Sequence, residues 1–185
     1  MFEKLGNQML CYAKIQPIWT NVYGLARTLL ALSLMLTLLV NPAHYFFRPA
    51  AGIPDYPLCT NNLSLFCLVP RDYFFLELVK WIFILLLMVV ASGWRPRFTG
   101  LIHFYIAFSF HSSAVSLDGG EQVNVVLTLL LLPITLTDKR KWHWEKVSSI
   151  DSTSTYALFA YITAFCAYMA IRIQMAIIYL NAAFA

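Results

Sequence analysis

The stretch Tyr73-Phe-Phe-Leu-Glu-Leu-Val-Lys-Trp-Ile-Phe-Ile-Leu-Leu-Leu-Met-Val-Val-Ala91 decides the fold. Glu77 and Lys80 are its only charged side chains, and from Trp81 to Ala91 it is apolar all the way round. A helix rises about 1.5 Å per residue, so this run approaches the ~20 residues needed to cross a bilayer core. A helix of a soluble domain would interleave polar residues at a period of about 3.6. In hydrocarbon the backbone must satisfy its own hydrogen bonds, which an open chain achieves only as helix.

Four more apolar runs flank it: Val22–Val40, Phe98–Leu117, Gln122–Leu136 and Tyr156–Ala185. With 60% hydrophobic and 12% charged residues, the chain cannot cover itself with polar surface. The expected fold is all-α: a polytopic membrane bundle of about five transmembrane helices, in a single domain over residues 1–185.

The net charge of +4 matters less than its placement. Lys4 and Lys14 precede the first span, Arg95 and Arg97 join the second to the third, and Lys139, Arg140, Lys141 and Lys146 follow the fourth. The other side holds Arg48 and Arg71 against Asp55, Asp72, Asp118 and Glu121. The positive-inside rule places the N-terminus and both basic loops in the cytoplasm. These clusters are short and juxtamembrane, so they indicate topology rather than nucleic acid. The first apolar run begins well into the chain and lacks a small-x-small cleavage site, so it reads as a signal anchor. Before it, Phe2, Leu5, Met9, Tyr12 and Ile15 are spaced for a short surface helix ending by Pro17.

Cys59 and Cys67 fall together in the long outer loop Asn41–Asp72, where an oxidising compartment would allow a disulfide. That loop is rich in Pro and turn residues, and a bridge would staple an otherwise weakly ordered segment. None of the four cysteines has the C-x-x-C spacing of a metal site, and no metal is expected.

Ionisable residues inside spans are functional hypotheses by default, because they are expensive in lipid. Arg27 lies near the start of its span and can snorkel to the interface. Glu77 and Lys80, three apart, can neutralise each other. His103 and His111 share nearly one face, without a CxxCH or HExxH motif; His111, near the outer end, is a candidate for proton handling or substrate binding. Arg172 sits mid-span with no acidic residue within a helical turn, and Asp118 and Glu121 are its nearest partners by topology. These two bracket the outer turn around Gly119-Gly120. His111, Asp118, Glu121 and Arg172 are therefore the candidate catalytic residues. Trp142, His143 and Trp144 read as an aromatic interfacial anchor, and Val147–Thr155 as a flexible connection.

Four segments carry a resemblance: Pro17-Ile-Trp-Thr-Asn-Val-Tyr-Gly-Leu-Ala-Arg27, Val90-Ala-Ser-Gly-Trp-Arg-Pro-Arg97, Leu117-Asp-Gly-Gly-Glu-Gln-Val123 and Leu136-Thr-Asp-Lys-Arg-Lys-Trp-His-Trp144. In this order they resemble the B-component family of bacterial sporulation-delaying toxin systems. That family belongs to the wider HTTM membrane domain group, related to vitamin K-dependent γ-carboxylase. The resemblance implies a multi-pass protein of the bacterial cytoplasmic membrane that helps mature a secreted peptide toxin at the outer face. Its implied partners are the lipid bilayer, the peptide toxin precursor and a small protein of the same operon. The remote relatives imply a quinone-dependent carboxylase or oxygenase as an alternative, with a reduced quinone as cofactor and a lysine as base. A non-catalytic scaffold or immunity protein is the third reading. The run Ile173–Ala185 resembles a family segment that continues into a Lys-Leu pair, so the chain is expected to be incomplete at its C-terminus.

Overall fold

The computed structural model describes residues 18–49, 56–59, 63–146 and 155–184. The opening stretch becomes helix α4, Tyr73–Ser92, capped by the Asp72 carboxylate on the Phe74 N–H and ended by Gly93 in the left-handed region. The other long helices are α1, Asn21–Val40; α5, Pro96–Ser113; α6, Gly119–Thr137; and α7, Thr155–Phe184. Two short helices, α2 (Ala43–Phe46) and α3 (Leu65–Leu68), lie in the first long loop. The expected surface helix before Pro17 and the connection 147–154 lie outside the described residues.

The chain is a membrane protein: α1, α4, α6 and α7 are each long and apolar enough to cross a bilayer. The fifth expected span differs. Helix α5 has 18 residues, about 27 Å at 1.5 Å per residue. It runs between the same two ends as its neighbours, from the turn after α4 to Ala114, yet its composition is too polar for that group. The reason is that Thr99, His103, Ser109 and Ser113 all face the bundle interior and are buried. The helix also stops at Ser113 rather than at Leu117, because Ala114 turns extended and the Val115 N–H donates to the Phe46 carbonyl at 2.9 Å.

Helix packing divides the interior into two apolar clusters. The larger fills one end: Leu34, Leu38, Phe83, Leu87, Ile106 and Phe110 from α1, α4 and α5 close on Phe46, Phe47 and Phe66 from the loop. Phe46 meets Phe110 edge-on at 4.8 Å, and Phe66 meets Phe83 at 5.2 Å. The described residues of this loop thus form a plug. It is tied down by the Ser64 hydroxyl on the Ser109 carbonyl (2.9 Å), the Leu58 N–H on the Ser113 carbonyl (2.8 Å) and the Tyr73 hydroxyl on the Phe47 carbonyl (3.0 Å). Cys59 and Cys67 are joined by a disulfide, their Cα atoms 5.8 Å apart. Glu77 and Lys80 form an ion pair beneath the plug. Glu77 accepts the Ala43 N–H at 2.9 Å and Lys80 donates to the Asn41 carbonyl at 3.1 Å.

The second cluster holds α7 against α1 and α6 through Trp19, Tyr23, Leu131, Ile134, Tyr161, Ala164 and Ala167. Small residues on α7 let the backbones approach, as is common between helices in lipid. Most of α7 otherwise faces outward.

Candidate functional site

At the end opposite the plug, two turns interlock. The Gly93-Trp94-Arg95 turn pairs antiparallel with Lys141-Trp142-His143: the Arg95 N–H donates to the Lys141 carbonyl at 2.7 Å and the His143 N–H to the Gly93 carbonyl at 3.0 Å. Trp142 and Trp144 stay exposed, as an interfacial anchor requires, whereas His143 is fully buried. Its ring lies where any side chain at Gly93 or Gly24 would be: a Cβ on Gly93 would come within 2.4 Å of Nε2, and one on Gly24 within 2.9 Å of the ring carbon Cδ2. Gly93 also needs its φ of +83°, which glycine tolerates at no steric cost. The Thr28 hydroxyl donates to the Ala91 carbonyl at 3.0 Å, leaving its oxygen free to accept from His143 Nε2 at 3.4 Å. Burial, followed by the Arg27 and Arg140 charges, pushes the His143 pKa down to about 4. The ring is therefore neutral at pH 7.

Beside His143 lies Arg27, and here the structure departs from the snorkelling expectation. Arg27 is 1% exposed. One guanidinium nitrogen, Nη2, donates to Thr99 Oγ1 at 2.5 Å, while Nε and Nη1 are buried without a partner. Thr99 can accept because its own hydroxyl proton goes to the Trp94 carbonyl at 2.8 Å. Tyr23 and His103 are near enough to feel the Arg27 charge, and the Tyr23 hydroxyl and His103 Nε2 are also buried and unpaired. Asp138, the nearest buried carboxylate, is held by Arg140 in a short bidentate pair at 2.8–3.1 Å. It does not neutralise Arg27 by direct contact.

Unsatisfied donors on a buried cation are costly and uncommon. The arrangement offers two donor nitrogens of a fixed positive charge, flanked by a phenol and an imidazole, to an oxygen acceptor within the bundle. Carbonyls and carboxylates have the matching chemistry.

The four residues singled out from sequence lie elsewhere. Asp118 is the N-cap of α6 and Glu121 completes a capping box, its Oε2 accepting the Asp118 N–H at 3.1 Å. Glu121 Oε1 is 3.5 Å from the Thr37 hydroxyl. The two carboxylates thus serve the start of a helix. His111 lies in the last turn of α5, half-buried, with Nδ1 unpaired. Arg172 is exposed on α7, its guanidinium 5.8 Å from the Tyr168 ring centre, a cation–π contact that spares it a carboxylate. Among the described residues no hydrogen bond or ion pair joins His111 or Arg172 to Asp118 or Glu121. The lysine base that the resemblance implies would follow Ala185; Lys80, buried within α4, is committed to Glu77 and the Asn41 carbonyl.

Sequence reasoning missed the polar centre because its parts lie on three segments far apart in the chain: α1, α5 and the turn after α6. Arg27 was visible as a charge, but its depth was not. Thr99 and His143 gave no signal, since a threonine and an interfacial histidine are ordinary where they stand.

Two curated relatives match almost the whole chain. SdpB, a sporulation-delaying protein of Bacillus subtilis (strain 168), is 38% identical over 183 residues, covering 97% of this chain and 54% of SdpB. The chain is thus similar to SdpB along nearly its whole length. The uncharacterized protein YitO of the same organism is 51% identical over 181 residues, covering 98% of this chain and 57% of YitO. The chain therefore spans a little over half the length of the curated relatives it matches. No family model matches it, and no solved structure does.

Proposed function

We propose that this chain takes part in producing a sporulation-delaying peptide toxin, as a multi-pass protein of the bacterial cytoplasmic membrane with its basic end inside. The observation that carries the reading is the 38% identity to SdpB across 97% of the chain. Two features support it. All of α1, α4, α5, α6 and α7 run between one end that gathers Arg95, Arg97, Lys139, Arg140 and Lys141 and another that carries the disulfide, as positive-inside topology and an oxidising exterior require. The buried donors of Arg27 offer a place for a peptide carbonyl or carboxylate inside the bundle, nearer its basic end. The wider HTTM relationship and the outer-face chemistry it implies belong to this proposal as well. The peptide precursor and a small operon partner are the proposed interactors.

Deleting the complete gene tests the reading. Precursor should still be synthesised while the mature peptide disappears from the medium. Normal mature peptide in the deletion strain would refute it.

One observation favours a non-catalytic scaffold instead: Asp118 and Glu121 are spent on a helix cap. That reading predicts that Asp118→Asn, His111→Gln and Arg172→Gln leave toxin output unchanged.

A further inference from the structure

The basic end of the bundle carries a cavity of about 290 Å³, lined by Arg95, Arg97, Phe98, Lys139, Arg140 and Lys141. It lies between the first turn of α5 and the segment that follows α6. Its size is near the lower end of small-molecule pockets, ~300–1,000 Å³.

Charge in and around this cavity is unbalanced. Arg140 is paired with Asp138, and Glu145 is occupied by the Lys141 backbone N–H. No carboxylate among the described residues forms an ion pair with Arg95, Arg97, Lys139 or Lys141. Arg95 lies over the Trp94 ring at 5.7 Å and Lys139 over the Tyr156 ring at 5.1 Å. Arg97 donates through Nε to the Asp138 carbonyl at 2.8 Å, but its Nη2 is buried without a partner.

Placement on α5 sharpens the anomaly. Arg95 is the N-cap and Arg97 lies in the first turn, which has no acidic residue. The N-terminus is the positive end of the helix dipole, so cations there are unfavourable and an anion is favoured. Arg95 also holds the left-handed φ of +38°, a conformation a non-glycine residue adopts only when its surroundings impose it. The interlock with Lys141 provides that constraint and fixes the two basic segments on either side of the cavity.

We infer that this cavity binds the phosphate of an anionic phospholipid headgroup. The lipid is preferred to a free anion because Trp94, Trp142 and Trp144 are exposed on the same two turns, which sets the cavity at headgroup depth. Basic pockets beside helix ends recognise anionic lipids in this way. The phosphate oxygens accept from Arg97 Nη2 and the lysines, and the acyl chains run along the apolar outer surface. This inference stands apart from toxin production and would hold if that reading failed.

The test uses the purified chain in neutral detergent micelles, with bound lipid counted by native mass spectrometry and the thermal midpoint read in parallel. The probes are phosphatidylglycerol, phosphatidylcholine and inorganic phosphate. Phosphatidylglycerol should bind and raise the midpoint, and the other two should not. Its affinity should fall about fivefold in Lys141→Gln, the value expected for one juxtamembrane cation, and further in Arg97→Gln. Lys141→Gln removes no side-chain bond of the fold, so it carries the test if Arg97→Gln does not assemble. Wild-type affinity in Lys141→Gln, equal binding of phosphatidylcholine, or a midpoint shift from inorganic phosphate alone would overturn the inference.

Discussion

At the scale of single residues, the end opposite the plug turns on His143 and Arg27. His143 is a wedge whose ring fills the space left by Gly24 and Gly93, and its burial there disfavours the charged form. Its pKa is depressed from the ordinary 6.5 to about 4, so the unfolded chain binds a proton that the folded chain refuses. The stability this neutral ring supports is fully present above pH 6.5 and is lost as pH falls toward 4. The loss approaches about 3 kcal/mol, at 1.36 kcal/mol per pKa unit. Thermal midpoints at pH 7 and pH 4.5 should therefore separate more for the wild type than for His143→Gln; equal separations would refute the wedge. Arg27 is the opposite case, a charge kept inside with two donors unpaired. Replacing a buried charge with an apolar side chain of similar volume is often neutral for stability, so Arg27→Met separates a structural role from a functional one.

At the scale of elements, four of the five long helices were legible in the sequence because their length and hydropathy suit a bilayer crossing, while α5 was read as a span despite its buried polar face. Caps set the starts: Thr20 and Asp118 begin α1 and α6 one and three residues earlier than expected, while Asp72 begins α4 at Tyr73 as read. The loop between α1 and α4 was less legible. Its prolines suggest weak order, and nothing local shows that Phe46, Phe47 and Phe66 reach the core formed by α1, α4 and α5. The candidate site was hardest to read, since contacts such as Arg27 with Thr99 join helices far apart in the chain. Two predictions belong here. Opening the Cys59–Cys67 bridge, which closes a sequence separation of 8, should cost about 2.5 kcal/mol on a chain-entropy estimate. The plug should then become accessible to protease, and unchanged protection in Cys59→Ser/Cys67→Ser would contradict its dependence on the bridge. Ala164, wholly buried where α7 meets α1 and α6, has no room for a larger side chain. Ala164→Leu should lower stability by about 1–3 kcal/mol, read as a fall in thermal midpoint; an unchanged midpoint would mean that α7 is not docked there.

At the scale of the whole molecule, charge and redox chemistry separate cleanly. One end carries the basic loops, the tryptophans and the headgroup cavity, and the other carries the disulfide and the aromatic plug. The polar centre lies nearer the basic end, where Arg27, Thr99, Tyr23 and His103 meet. On the proposed function, this centre is what a peptide precursor would engage, and the SdpB-like sequence around it is what toxin production would require. The most direct measurement complements a strain deleted for the complete gene with wild-type, Arg27→Lys or Arg27→Met versions. Mature peptide in the medium is quantified by mass spectrometry, and membrane abundance of the protein by immunoblot. At equal abundance, Arg27→Met should abolish mature peptide and Arg27→Lys should retain part of it. Wild-type levels of peptide from Arg27→Met would contradict the assignment of this buried centre to toxin production.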